Sequence, residues 1–260
     1  MPEHLFDKND FGSNFVFGVA SSAFQTEGAY NVHGKGPSIW DVFCLKGKIK
    51  NNDNAFSACE CYSRYKSDLL LMRQMNIRNF RFSLSWPRIL PEGTGNKINY
   101  RGIEFYNEVI DTCLELGITP WITLYHWDLP QVLEEKGGWA NREIINWFSD
   151  YAKVCINAFG DRVKNWMVLN EPMVFTGAGY FMGVHAPGKM GLKYFLPAVH
   201  HASLVQGIIP KLLRSEERNL KIGSTFSCSH IDPYTHSEKN IKASVRVDTL
   251  LNRLFMDLPC

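Results

Sequence analysis

The chain has 260 residues, 45% of them hydrophobic and 21% charged, with a formal net charge of +2. That balance supports one sizeable packed domain and excludes long disordered tracts. Lys and Arg are scattered, which removes the electrostatic footprint of a nucleic-acid binder, and no apolar run reaches the roughly 18–20 residues needed to span a bilayer.

Short apolar runs alternate with longer amphipathic ones. Phe15–Ala20 reads as a first strand. Ser57 with Glu60 has the capping-box spacing, and Tyr62, Tyr65, Leu69 and Met72 follow at helical intervals. Asn79–Leu84 reads as a second strand. Ile103, Tyr106, Ile110 and Cys113 mark the next helix, with Gly117 as its cap. Thr119–Tyr125 is a third strand, and Ile144, Trp147, Tyr151 and Cys155 mark the helix after it. Trp166–Leu169 is a fourth strand. Ala198–Leu213 reads as a helix that Pro210 kinks or ends. Leu220–Ser227 is a fifth strand, and Asn240–Phe255 a fifth helix. The whole of 1–260 is expected to form a single domain.

Strict strand–helix alternation implies a parallel α/β sheet. A doubly wound nucleotide binder should carry Gly-x-Gly-x-x-Gly after its first strand. This chain instead continues Ser21-Ser22-Ala23-Phe24-Gln25-Thr26-Glu27-Gly28. Polar residues gather at the carboxyl ends of several strands, which favours a (β/α)8 TIM barrel. Five βα units are present where a closed barrel has eight, so a partial barrel is expected.

The start, Met1-Pro2-Glu3-His4-Leu5, has no basic segment leading into an apolar one, so no secretory leader is expected. Seven cysteines at irregular spacing do not form a disulfide framework. They read as small buried hydrophobes in a reducing cytoplasm.

Several positions carry candidate chemistry. Asn170-Glu171-Pro172 ends the fourth strand. Alone it is an ordinary helix-starting turn, but a Glu beside an amide suits a general acid next to a sugar hydroxyl. His126 and Trp127 end the third strand. A neutral imidazole can donate to a hydroxyl and an indole can wall an apolar sugar face; alone, the pair reads more readily as a satisfied loop His and a buried Trp. Arg81 lies inside the second strand and needs a partner, either a structural carboxylate or one in an active site. Gln25 offers a donor and an acceptor to adjacent hydroxyls; alone it is a turn residue. His200 and His201 are read as packing or hydrogen-bonding residues. No second His stands at ligand spacing from His126, so no metal is expected.

Together, Phe17–Gly28, Arg81–Pro91, Thr123–Pro130 and Leu169–Pro172 closely resemble the family-one glycoside hydrolases, the β-glucosidase family. Gly137-Gly138-Trp139 and Phe159–Val163 also fit, and the likeness runs from about Phe11 to about Asp257. The resemblance implies a retaining mechanism with Glu171 as acid/base, and a β-glucoside or related oligosaccharide as substrate. It implies that Gln25, His126 and Asn170 hold sugar hydroxyls and that Arg81 orients the nucleophile. It also implies that Val174, Phe175 and Tyr180 line the leaving-group side, and that no cofactor is needed. The thioglucoside-cleaving branch has Gln at the position of Glu171, so O-glycosides are favoured.

The family's nucleophile lies in a Thr-Glu-Asn-Gly motif on strand seven, and this sequence has none. The expectation is a truncated product, a partial gene model or one piece of a split enzyme, inactive by itself. It could then pair with a complementary carboxyl-terminal half or self-associate through open sheet edges. A non-catalytic carbohydrate-binding remnant and a phospho-β-glucosidase fragment are the alternatives.

Overall fold

The computed structural model describes residues 7–217 and 219–257. Five parallel strands run in sequential order: β1 (Val19–Ala20), β2 (Asn79–Ser83), β3 (Thr119–Tyr125), β4 (Asn165–Asn170) and β5 (Lys221–Thr225). Helices α1 (Cys61–Gln74), α2 (Tyr100–Glu115), α3 (Ile144–Phe159) and α4 (Leu192–Glu216) join them, and α5 (Glu238–Asp248) follows β5. A doubly wound sheet reverses its strand order once; this sheet never does. It is five βα units of a barrel, as the strand-end polar residues indicated.

The element types follow from side-chain period. Buried Phe105, Tyr106, Val109, Ile110 and Cys113 recur along one face of α2, and Ile144, Phe148, Tyr151, Ala152, Cys155, Ile156 and Phe159 do so along α3. Gly117 follows α2 at φ +67°, a left-handed position that glycine takes without strain. Strands β3 and β4 are covered on both faces and therefore read as nearly continuous apolar runs. Between sheet and helices lies an aromatic core. Trp86 stacks on Tyr151 with centroids 4.7 Å apart, and Phe148 packs edge-on against both.

Three local expectations need correction. The first strand is shorter than Phe15–Ala20, because only Val19 and Ala20 pair with β2. Upstream, Asn79 Nδ2 donates to the Phe17 carbonyl in place of a ladder bond. The Phe11, Phe15 and Phe17 rings cluster with each other instead of alternating across a sheet. Gly18 sits so close that a Cβ would lie 2.7 Å from the Asn79 carbonyl oxygen. Ser57 and Glu60 form no capping box. Glu60 is itself the residue before α1, at φ +56°, and caps nothing with its side chain. The Tyr62 amide donates to the Glu27 carbonyl instead, tying α1 to the β1 loop. Finally, α4 runs through Pro210 to Glu216. Its buried Val205, Ile209 and Leu213 outweigh the lost backbone bond, a defect of about 3 kcal/mol.

Among the described residues six cysteines are free, with Cys44, Cys113 and Cys155 buried but Cys59 and Cys228 exposed. Met1–Leu5 and Cys260 lie outside the described residues. No described helix is long and apolar enough to cross a membrane.

One buried ion pair braces the loops above the sheet. Arg88 Nε donates to Glu27 at 2.9 Å, and both side chains are almost fully buried. The Tyr106 hydroxyl donates to the other Glu27 oxygen, and the Arg88 guanidinium stacks 4.3 Å from the Tyr62 ring. These contacts join the loops after β1 and β2 to α1 and α2. Glu27→Leu leaves Arg88 buried without its carboxylate, so a loss of about 3–5 kcal/mol is expected in urea unfolding followed by tryptophan fluorescence. An unchanged midpoint would show that the pair is not what holds these loops.

Candidate active site

All five strands point the same way, so their carboxyl ends form one rim. Two bulky residues there hold left-handed backbone, Trp127 at φ +76° after β3 and Glu171 at φ +48° after β4. Such conformations cost on the order of 1–3 kcal/mol each and persist only where surroundings enforce them. The enforcing bonds are identifiable. The Glu171 amide donates to the Thr225 carbonyl of β5 at 2.8 Å, and the Glu171 carbonyl accepts from Val174 as the next helical turn begins. The Trp127 indole donates to the Asn170 carbonyl at 2.8 Å. Each strained residue is thus held by a neighbouring strand end.

Arg81 is the hub beneath them. Its Nη1 donates to Asn170 Oδ1 at 2.8 Å, to Thr225 Oγ1 at 3.2 Å and to Thr123 Oγ1 at 3.4 Å. The structural carboxylate partner considered from sequence is not found among the described residues; neutral oxygens from β3, β4 and β5 surround the guanidinium instead. Burial lowers its pKa, and the Glu171 charge opposes that shift. The half-buried Glu171 carboxylate therefore lies within the electrostatic reach of Arg81.

His126 faces the same region. Burial, reinforced by the Arg81 charge, pushes its pKa down to about 4. The ring is neutral at ordinary pH, and its Nδ1 is buried without a protein partner. It borders a cavity of about 250 Å³ lined by Phe24, Gln25, Trp40, His126, Trp127 and His185. Gln25 is exposed at this cavity, and its amide oxygen accepts from Ser22 Oγ at 2.7 Å. The short helix bearing Gln25 is anchored by the Ala23 amide, which donates to Ser83 Oγ at the end of β2. Aromatic walls with a few unpaired polar atoms suit a ligand that has apolar faces and hydroxyl edges.

The structure thus gathers Gln25, Arg81, His126, Trp127, Asn170 and Glu171 around one rim, although Arg81, Asn170 and Glu171 are not in the wall of that cavity. It does not bring Phe175 and Tyr180 there. Phe175 packs against Tyr125 and Trp139 in the core, and the buried Tyr180 donates to Glu134. The helical turn from Pro172 to Thr176 points Phe175 inward, while Val174 stays half-buried. His201 is a packing residue, its Nδ1 2.8 Å from the Trp139 carbonyl. Trp40 and His185 escaped sequence reasoning. Ser38 and Asp41, a true capping box around Trp40, were its only local signal, and His185 had none. Among the described residues no cluster of three or more His, Cys, Asp or Glu could hold a metal ion.

Comparison with known proteins adds an independent line. The profile of glycosyl hydrolase family 1 matches residues 7–260. Beta-glucosidase A of Thermotoga maritima is 45% identical over 234 residues, 90% of this chain and 52% of that protein. Beta-glucosidase 42 of Arabidopsis thaliana is 43% identical, covering 93% and 51%. The solved beta-glucosidase from Thermotoga maritima in complex with deoxynojirimycin superposes with a TM-score of 0.89 at 44% identity, over 91% of this chain and 54% of that one. The chain thus spans about half the length of these relatives.

The His126 environment makes a measurable prediction. Its imidazole should titrate by NMR with a midpoint near 4. The unfolded chain takes up that proton below about 6.5 while the folded ring refuses it, so this residue's effect on stability is a loss as pH falls from about 6.5 to about 4. A midpoint near 6.5 would mean that the ring is solvated and not set against Arg81.

Proposed function

The chain belongs to glycosyl hydrolase family 1, and on that footing we propose that it supplies the proton-donating, sugar-gripping part of a retaining β-glucosidase, with Glu171 as acid/base. The observation that carries this reading is the Glu171 backbone, forced left-handed at a strand end and pinned to β5. Its neighbour Asn170 is braced by both Arg81 and Trp127. A carboxyl group so fixed can protonate a glycosidic oxygen and later take a proton from water. Asn170, His126 and Gln25 offer hydrogen bonds to the sugar's hydroxyls, and the Trp127 ring offers a wall to its C–H face.

A retaining reaction needs a second carboxylate about 5–5.5 Å from the first to attack the anomeric carbon. The sequence has no Thr-Glu-Asn-Gly segment, so the nucleophile comes from outside these 260 residues, where relatives have roughly as many again. Arg81 then orients that incoming carboxylate as well as Asn170. These 260 residues alone bind sugar weakly and turn it over poorly, and their natural partner is a complementary carboxyl-terminal stretch. The β-glucosidase names of the relatives and the deoxynojirimycin bound to one of them support a carbohydrate ligand. The reducing cytoplasm remains the proposed setting.

Mixing the chain with the carboxyl-terminal half of the Thermotoga maritima relative tests the reading. Hydrolysis of 4-nitrophenyl β-glucoside should appear in the mixture and stay at background for either half alone. In the active mixture, Glu171→Gln should lower kcat on an alkyl glucoside by about 10²–10⁴-fold, the usual worth of a general acid. The loss in the bond-breaking step should shrink for a dinitrophenyl glucoside, whose leaving group departs without a proton. Equal losses on both substrates would remove the acid role.

A further inference from the structure

Gly137 and Gly138 belong to a motif that the sugar-binding reading leaves without a role. In the structure they close over a buried cluster that joins two rim loops. Glu134 ends the helical turn Gln131–Glu134 after β3 and is buried. Its carboxylate pairs with the Lys189 ammonium and accepts from the Tyr180 hydroxyl. Both partners lie in the segment 177–191 that leads from the β4 end to α4. The ammonium also sits 3.5 Å from the Gly137 carbonyl oxygen and 5.3 Å from the centre of the Tyr194 ring. A Cβ on Gly138 would stand 1.9 Å from a Glu134 carboxylate oxygen and 2.8 Å from the Tyr180 hydroxyl oxygen, so glycine there leaves room for the cluster.

The same segment carries His185, whose ring packs 5.4 Å from Trp40 and 5.7 Å from Trp127 in the cavity wall. Hydrogen bonds inside the segment set its shape. The Val184 and His185 amides donate to the Ala178 carbonyl at 3.0 and 3.1 Å, and the Lys189 amide donates to the Gly179 carbonyl at 2.9 Å. Bonds internal to a loop do not fix where the loop stands on the molecule. Contacts with another element do, and Glu134 receives one from Tyr180 before His185 and one from Lys189 after it.

We propose that Lys189 is a positioning residue, whose ion pair with Glu134 latches the 177–191 segment to the loop after β3 and so holds His185 in the cavity wall. Burial pushes the Glu134 carboxyl up, and Lys189 and Tyr180 oppose that rise. Losing the lysine therefore leaves a buried carboxyl group without its counter-charge. The latch concerns where His185 stands and holds whatever the cavity binds; only its bearing on a sugar rests on the proposed function.

Amide hydrogen exchange and NMR on the 260-residue chain test the proposal without any turnover. Lys189→Met removes the ammonium and keeps an apolar stem. Exchange in 177–191 should then quicken by about tenfold or more, the scale of a local opening released from one partly buried ion pair, while β3 and α3 exchange as in the wild type. His185, whose pKa burial holds below 6.5, should titrate closer to 6.5 as its ring leaves the wall, and the His126 midpoint should stay where it is. Lys189→Met combined with Glu134→Gln strands no buried charge, should show the same two changes, and replaces the single variant if that one does not fold. Gly138→Ala, which alters no charge but drives a methyl group into the Glu134 carboxylate, should show them as well. Wild-type exchange in 177–191 or a wild-type His185 midpoint in the folded Lys189 variants would overturn the assignment. So would faster exchange spread evenly over β3 and α3, the mark of a general contribution to stability. Absence of glucosidase activity in the reconstituted mixture would leave these readouts unchanged.

Discussion

Parallel hydrogen bonding among β2, β3 and β4 is the constraint on which everything else here rests. Its register sets Arg81 opposite Trp121, Trp121 opposite Asn165 and Tyr125 opposite Leu169. Parallel pairing places every carboxyl terminus on one side. Residues distant in the chain, such as Arg81 and Asn170, therefore come within 2.8 Å of each other. An antiparallel arrangement of the same strands would scatter them to opposite ends.

The rim is polar and half-buried, and burial shifts the protonation equilibria of its members. It keeps His126 neutral and pushes the Asp128 carboxyl well above the usual carboxylate range, while Arg81 sits among neutral acceptors. The buried ion pairs, Arg88 with Glu27 and Lys35 with Asp41, lie one layer below and hold the loops rather than meet a ligand. In a low-dielectric setting such pairs fix geometry more reliably than they add stability. The strained Trp127 and Glu171 backbones are held instead by the ends of β4 and β5.

The edges of the sheet contrast with its centre. Among the described residues β1 and β5 each pair on one side only, and Phe15, Val16 and Phe17 beside β1 are about half exposed. Helix α5 buries none of its residues. Apolar groups and backbone donors at these edges would be covered in a closed barrel, which agrees with relatives about twice as long.

The sequence by itself determined the central elements and the residue types of the rim. The boundaries of β3, and the helical faces of α2 and α3, follow from side-chain period because solvent lies on one side of the helices and core on the other. Period analysis located the strand ends beside His126 and Glu171, whereas the roles of Gln25, His126 and Glu171 rested on the family resemblance of the whole motif set. Only the tertiary structure decided what depends on through-space contact. It exchanged the ladder bonds of Phe15–Gly18 for an Asn79 side chain, and it gave the first turn of α1 to the Glu27 carbonyl. It sent Phe175 and Tyr180 into the core and brought Trp40 and His185 to the cavity wall. Periodicity reports which face of an element is buried, whereas these outcomes depend on which other element buries it. That information lies in contacts between residues tens of positions apart.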